Sequence, residues 1–317
     1  MPKNSFLVLN NTKVLPARVA MQKETGGKVV ILFLINNSSN NIVTAMADRK
    51  VNVGDFLSFD KDNYLKVLSQ KEHIFELKFN FSQEHLFSLL RKYGTMPIPP
   101  YLKKSPLTRD ELLEKYQTVF ARAPVGARLA SVAAPTASLH FTNEVFDRLK
   151  KKGIENFFIT LHVGLGTFAS ITNQNIKQKK LHEEYYEVDS YTFQSINRLK
   201  QDGKSLVAVG TTVTRTLESK ARYQKFFDGK QKTAKNLVSS LPKNISGKTD
   251  LFIFPPYDFK MVDVLITNFH LPKSSLMMLV EAFLQHKKSK KSLVELYNVA
   301  IKNDFRFFSF GDVMLIL

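Results

Sequence analysis

The hydrophobic pattern changes period along this chain of 317 residues, and that change limits its architecture more than any other feature. From Lys28 to Phe81 the sequence is a series of short β-type runs: Val29 to Leu34, Ile42 to Met46, Phe56 to Phe59, Tyr64 to Leu68 and Ile74 to Phe79. Between them stand turn-forming residues, Asn36-Asn37-Ser38-Ser39-Asn40, Gly54-Asp55 and Asp60-Lys61-Asp62-Asn63. Short strands so spaced predict a small closed or nearly closed β-barrel. A helix over Gln83 to Lys92 and the rigid Pro97-Ile98-Pro99-Pro100 segment then lead elsewhere, which puts a domain boundary near Tyr93.

From about Pro135 onward, strands and helices alternate. Thr142-Asn143 caps a helix that runs through Phe146 and Leu149 and stops at Gly153. An apolar strand, Phe157 to Val163, follows, then a helix from about Tyr191 to Lys200, strand Leu206 to Gly210 and a helix from about Val213. Strands Leu251 to Phe254 and Val262 to Thr267, helices over Ser275 to His286 and Leu293 to Ile301, and a last strand, Val313 to Leu317, complete the series. The alternation implies an α/β fold with a mainly parallel sheet, open or closed into a barrel. The Lys/Ser/Asn-rich region from Gly229 to Lys248 reads as a basic surface loop.

Composition narrows the chemistry. The formal charge of +18 attracts polyanions, nucleic acid first among them, although a lysine-rich genome also paints solvated faces with lysine. Cysteine is absent, so disulfides, thiolate metal sites and a cysteine nucleophile are excluded. The apolar run Phe6 to Leu9 is broken at once by Asn10-Asn11, too short for a signal peptide, and no stretch approaches the roughly eighteen apolar residues of a spanning helix. The expectation is a cytoplasmic protein with no membrane partner.

Polar groups recur where apolar runs end. In Pro135-Thr136-Ala137-Ser138-Leu139-His140-Phe141-Thr142, an extended chain would put Thr136, Ser138, His140 and Thr142 on one face. Thr160, His162 and Gly164 share a face of the next strand, which runs into Gly164-Leu165-Gly166-Thr167-Phe168-Ala169. That run fits a dinucleotide fingerprint, but the apolar-striped helix such a site requires does not follow, since Thr172 to Lys180 is polar almost throughout. The glycines suit close backbone approach to a ligand at a strand's carboxyl end. His182 stands beside Glu183 and Glu184, a combination suited to proton transfer, with Tyr186 where a zinc motif would need a second histidine. At Gly210-Thr211-Thr212-Val213-Thr214-Arg215, helix N-terminal amides with Thr211 and Thr212 form a site for phosphate or carboxylate, and Arg215 and Glu218 fall on one face. Thr267-Asn268-Phe269-His270 again ends an apolar strand in polar groups, and Asp312 follows a run of aromatics and Gly311. No metal site is expected.

Ser131-Val132-Ala133-Ala134-Pro135-Thr136-Ala137-Ser138-Leu139-His140-Phe141-Thr142, Thr160 to Phe168, Gly210 to Ser219, Thr267 to Ser274 and Phe305 to Asp312 together resemble the S-adenosylmethionine:tRNA ribosyltransferase-isomerase family of queuosine biosynthesis. The resemblance runs nearly end to end, through Leu9 to Arg18, Pro97 to Tyr101 and Tyr116 to Ala121. It implies a large α/β-barrel-like catalytic domain (1–20 and 94–317) with an inserted small β-barrel domain (21–93). It also implies transfer of the ribosyl part of S-adenosylmethionine to 7-aminomethyl-7-deazaguanine at the tRNA wobble position, with rearrangement to epoxyqueuosine and loss of adenine and methionine. The implied partners are S-adenosylmethionine, as cosubstrate with no permanent cofactor, and a tRNA with a GUN-type anticodon, acted on by a monomer.

That chemistry needs a base for the ribose methylene beside the sulfonium and a proton donor for the departing adenine. His182 with Glu183, His270 and His140 are the catalytic candidates. Thr136, His162, Gly164, Gly166, Thr167, Thr211, Thr212, Arg215, Asn268 and Asp312 are the candidates for holding the cosubstrate, with Glu183, Glu184, Phe168 and Phe310 as acids and aromatics to face its cation. Ser138 and Pro256 stand where the family has glycine, Ala127 to Ala130 replace its usual lead into Ser131, and the family has several dozen residues ahead of the segment matching Phe6. These departures motivate the alternative of a tRNA-binding member without turnover.

Overall fold

The computed structural model describes residues 1–39, 41–99, 102, 106–122, 130–164, 171–224 and 244–317. They form two compact units. One comprises Met1–Asn11, Pro135–Leu161 and Phe168–Leu317, the other Thr12–Ala134 and His162–Thr167. The architecture is mixed α/β, a closed six-strand barrel and a separate mixed sheet with helices.

The sheet has seven strands, numbered along the chain, in the order β11 (Asn244–Leu251), β9 (Lys180–Asp189), β8 (Asn156–His162), β1 (Ser5–Asn10), β10 (Ser205–Val209), β12 (Val264–Asn268) and β13 (Val313–Ile316). Pairs β8–β1, β1–β10 and β10–β12 are parallel; β11–β9 and β12–β13 are antiparallel. Every residue of β1 and β12 is buried, as is Leu206-Val207-Ala208-Val209 of β10. Continuous apolar runs are what parallel strands covered on both faces require. Helices α3 (Asn143–Lys151), α5 (Ser190–Gln201), α6 (Thr211–Gln224), α7 (Ser275–His286) and α8 (Leu293–Lys302) belong to this unit, with the six-residue α4 (Asn173–Gln178), which buries no residue.

Strands β2 (Arg18–Lys23), β3 (Lys28–Ser39), β4 (Ile42–Ala47), β7 (Ile74–Phe79), β6 (Tyr64–Lys71) and β5 (Phe56–Ser58) pair in that order and close through β2–β5. Alternation does the work: Leu65 and Val67, then Phe75, Leu77 and Phe79, point inward while their neighbours stay partly or fully exposed. Closure leaves no sheet edge to aggregate. Helices α1 (Gln83–Tyr93), capped by Ser82, and α2 (Arg109–Lys115) follow in the same unit.

Three local expectations are corrected. Thr136–His140 is a 3-10 turn, not extended chain, so Ala137 and Ser138 are buried together while His140 is exposed. The strand expected over Leu251 to Phe254 instead ends at Leu251, and Phe252 and Ile253 enter the core without a ladder. An apolar run marks burial whether or not it is paired. Residues 244–248, expected in a surface loop, lie in β11, whose polar alternation pairs with the equally polar β9. Most of that expected loop, 229–243, lies outside the described residues.

Candidate functional site

Polar side chains gather in the first unit at the carboxyl ends of β1, β10 and β12. Strand β1 ends in Asn10, whose amide is locked to the backbone of β8: Nδ2 donates to Leu161 O at 3.1 Å and Oδ1 accepts from Leu161 N at 3.1 Å. The same Nδ2 donates to Thr212 Oγ1 at 3.3 Å. Strand β10 gives way to α6 at Gly210, whose φ of +92° is a conformation glycine adopts without strain. Thr211 is buried and Thr212 half-buried in the first helical turn. Strand β12 ends in Thr267 and Asn268; Thr136 Oγ1 donates to Asn268 Oδ1 at 2.8 Å, while buried Asn268 Nδ2 has no partner among the described residues. The 3-10 turn comes close to the same place, since a Cβ built on Gly210 would sit 3.7 Å from that of Ala137. Thr136, Thr211, Thr212 and Asn268 are therefore brought together.

His270 follows directly. Its Nε2 lies 2.8 Å from Thr267 Oγ1, and its backbone N–H donates to the Tyr297 hydroxyl at 2.7 Å. Some of the residue meets solvent, but the protein packed around the ring lowers its pKa to about 4, so the imidazole is neutral at pH 7. His140 is exposed at the end of the 3-10 turn, with Nε2 3.0 Å from Gly311 O; a carbonyl only accepts, so Nε2 carries hydrogen and donates. Asp312 is held by Arg306 through its guanidinium and backbone N–H, both at 2.8 Å, which keeps its carboxyl below the usual range. Phe310 is exposed.

The structure separates other candidates. His182 and Glu183 are neighbours on β9, so their side chains leave opposite faces of the strand; Glu183 pairs with Lys248 on β11 at 2.9 Å and no hydrogen bond joins it to His182. The expected dyad is not formed. Arg215 ion-pairs with Glu184, not Glu218, and its Nε donates to Leu251 O at 3.0 Å. Glu218, completely buried, instead accepts backbone N–H groups from Lys260, Met261 and Val262 at 3.0, 2.9 and 3.1 Å and holds the 257–262 loop.

His162 falls in the second unit, buried, with Nδ1 3.3 Å from Thr12 Oγ1. Thr12 Oγ1 is 2.7 Å from Ser131 Oγ, which accepts Val163 N–H at 2.9 Å. Burial pushes the His162 pKa down to about 4. Asn36 Nδ2 donates to His162 O at 3.3 Å and its Oδ1 accepts from Ala130 N at 2.9 Å. Gly164 is buried beside Asn36; Gly166, Thr167 and Phe168 lie outside the described residues. In the sequence Asn10 reads as a break, Thr12 has no signal of its own and Asn36 reads as a turn residue. The signal available for Asn10 was a polar side chain closing a wholly apolar run. Among the described residues no group of three or more His, Cys, Asp or Glu is placed to hold a metal ion, and no helix is long and apolar enough to cross a membrane.

Polar groups at the carboxyl edge of parallel strands, beside a helix N-terminus, define an α/β ligand-binding protein. Residues 1–316 match the family described as queuosine biosynthesis protein. S-adenosylmethionine:tRNA ribosyltransferase-isomerase of a Sulfurihydrogenibium species is 42% identical over 98% of this chain and 84% of its own length. The enzyme of that name from Thermosipho melanesiensis is 41% identical over 99% and 84%, and that from Staphylococcus saprophyticus 42% identical over 98% and 84%. A crystal structure of S-adenosylmethionine tRNA ribosyltransferase from Thermotoga maritima shares 33% identity over 99% of this chain and 83% of that one, with a TM-score of 0.44. The chain belongs to the queuosine biosynthesis protein family, and is an enzyme of it.

Proposed function

We propose that this protein transfers the ribosyl part of S-adenosylmethionine to 7-aminomethyl-7-deazaguanine at the wobble position of a tRNA with a GUN-type anticodon. Rearrangement gives epoxyqueuosine, and adenine and methionine leave. The observation that carries the reading is the match of nearly the whole chain, at 41–42% identity, to enzymes named for this reaction. The protein works as a cytoplasmic monomer with no permanent cofactor, and the inserted barrel domain, expected over residues 21–93, takes in the whole of β2 from Arg18.

The side chains at the strand ends suit the chemistry. Thr136, Thr211, Thr212 and Asn268 bind the cosubstrate, and neutral His270, positioned by Thr267 and Tyr297, is the base that takes a proton from the ribose methylene beside the sulfonium. His140 presents an N–H beside Gly311 and serves as the donor when adenine departs. His162 is held by Thr12 and accepts hydrogen bonds in its neutral form. Purified protein given S-adenosylmethionine and tRNA carrying the aminomethyl base is expected to release adenine in proportion to modified tRNA. Binding of that tRNA without any adenine release would replace this reading with a non-catalytic tRNA-binding role.

A further inference from the structure

The amide nitrogen of Asn268 is a buried donor with no acceptor among the described residues. The residue is 2% exposed, and Thr136 occupies the other end of its amide. Leaving such a donor unpaired costs its full desolvation penalty, so a group of this kind is expected where a ligand completes it.

Its surroundings say what that ligand carries. Strands β10 and β12 run parallel with Val209 opposite Ile266, and Gly210 N donates to Ile266 O at 2.8 Å. Gly210, the residue before α6, is thus tied to β12 two residues short of Asn268, and a Cβ built on it would sit 3.7 Å from that of Ala137, in the turn whose Thr136 holds Asn268. Helix α6 is 14 residues long, and the backbone N–H groups of its first turn have no acceptor within the helix. Its N-terminal dipole favours negative charge. Arg215, in the next turn, pairs with Glu184 through Nη1, and its Nη2 has no partner among the described residues.

We propose that the first turn of α6 and the Asn268 amide form an oxyanion cup that holds the carboxylate on the methionyl arm of S-adenosylmethionine. This rests on the cosubstrate assigned above. The cup suits a small carboxylate rather than a nucleic-acid phosphate because Asn268 is 2% and Thr211 7% exposed, with the half-buried Thr136 and Thr212 as its rim. A phosphodiester in a polynucleotide cannot be drawn below such a rim without its flanking nucleotides.

Equilibrium binding to the full chain separates the possibilities. Wild-type protein is expected to bind S-adenosylmethionine at least about tenfold more tightly than its decarboxylated analogue, and free methionine, but not methioninamide, should compete. Asn268→Asp, which puts a carboxylate in the cup, is expected to abolish that preference while leaving affinity for the decarboxylated form within about threefold. Equal wild-type affinity for the two forms would overturn the cup, whatever the variant does. Displacement of S-adenosylmethionine by inorganic phosphate but not by methionine would overturn the carboxylate assignment. If wild-type protein binds neither form and releases no adenine, the cosubstrate reading itself fails and takes the cup with it.

Discussion

Burial takes the His162 ring out of water, and a proton added there would leave a charge with only the Thr12 hydroxyl at its Nδ1. The folded-state pKa of about 4 lies below the roughly 6.5 of an unfolded chain. As pH falls below 6.5 the unfolded chain takes up a proton that the folded chain refuses until about 4, so stability present above 6.5 is lost through that window. The loss is roughly 3 kcal/mol for one such group by linkage. His270, also lowered to about 4, acts in the same direction. Denaturant unfolding at pH 4.5 and 7 should therefore show a smaller acid loss in His162→Asn than in wild type. A difference between the two proteins that is constant with pH would mean His162 is not buried neutral. That the ring is buried was not readable from its strand: alternation set Thr160, His162 and Gly164 on one face without saying which face meets the core.

The Arg215–Glu184 pair joins elements that no local pattern connects. It links α6 to β9, and the guanidinium also reaches Leu251 at the end of β11. Helical spacing suggested Glu218 as the partner of Arg215, because a sequence displays neighbours on one helix but not the strand beneath it. Strand β9 does not stand out in the sequence, since the exposed His182 and Glu183 and the half-buried Glu187 mask the buried series Glu184, Tyr186 and Val188. Arg215→Met would leave the Glu184 carboxylate buried without its cation and is expected to cost about 3–5 kcal/mol. Arg215→Met with Glu184→Leu should recover most of that loss in the same denaturation measurement. If the double variant is as unstable as the sum of the singles, the pair does not act as a unit.

For the whole molecule the charge of +18 matters more than any single contact. Phosphates of tRNA shed counterions when lysine and arginine replace them, so log affinity should fall linearly with log salt. With about six or more phosphate contacts, binding of the anticodon-bearing tRNA weakens on the order of a thousandfold between 50 and 200 mM salt. Filter binding across that range checks it, and an affinity indifferent to salt would dissociate the charge from RNA recognition. The barrel strands, the α/β alternation, the sign of the charge, the lack of thiols and the polar residues closing apolar runs were all determined by the sequence alone. Each is a local property, set by side-chain period, turn chemistry or composition. Only the tertiary structure decided that β1 runs between β8 and β10, that Asn10 meets Thr212 across 202 residues of chain, and that Asn268 keeps a buried donor beside α6. Strand order and side-chain partners are set by packing between segments distant in sequence, and no local pattern carries that information.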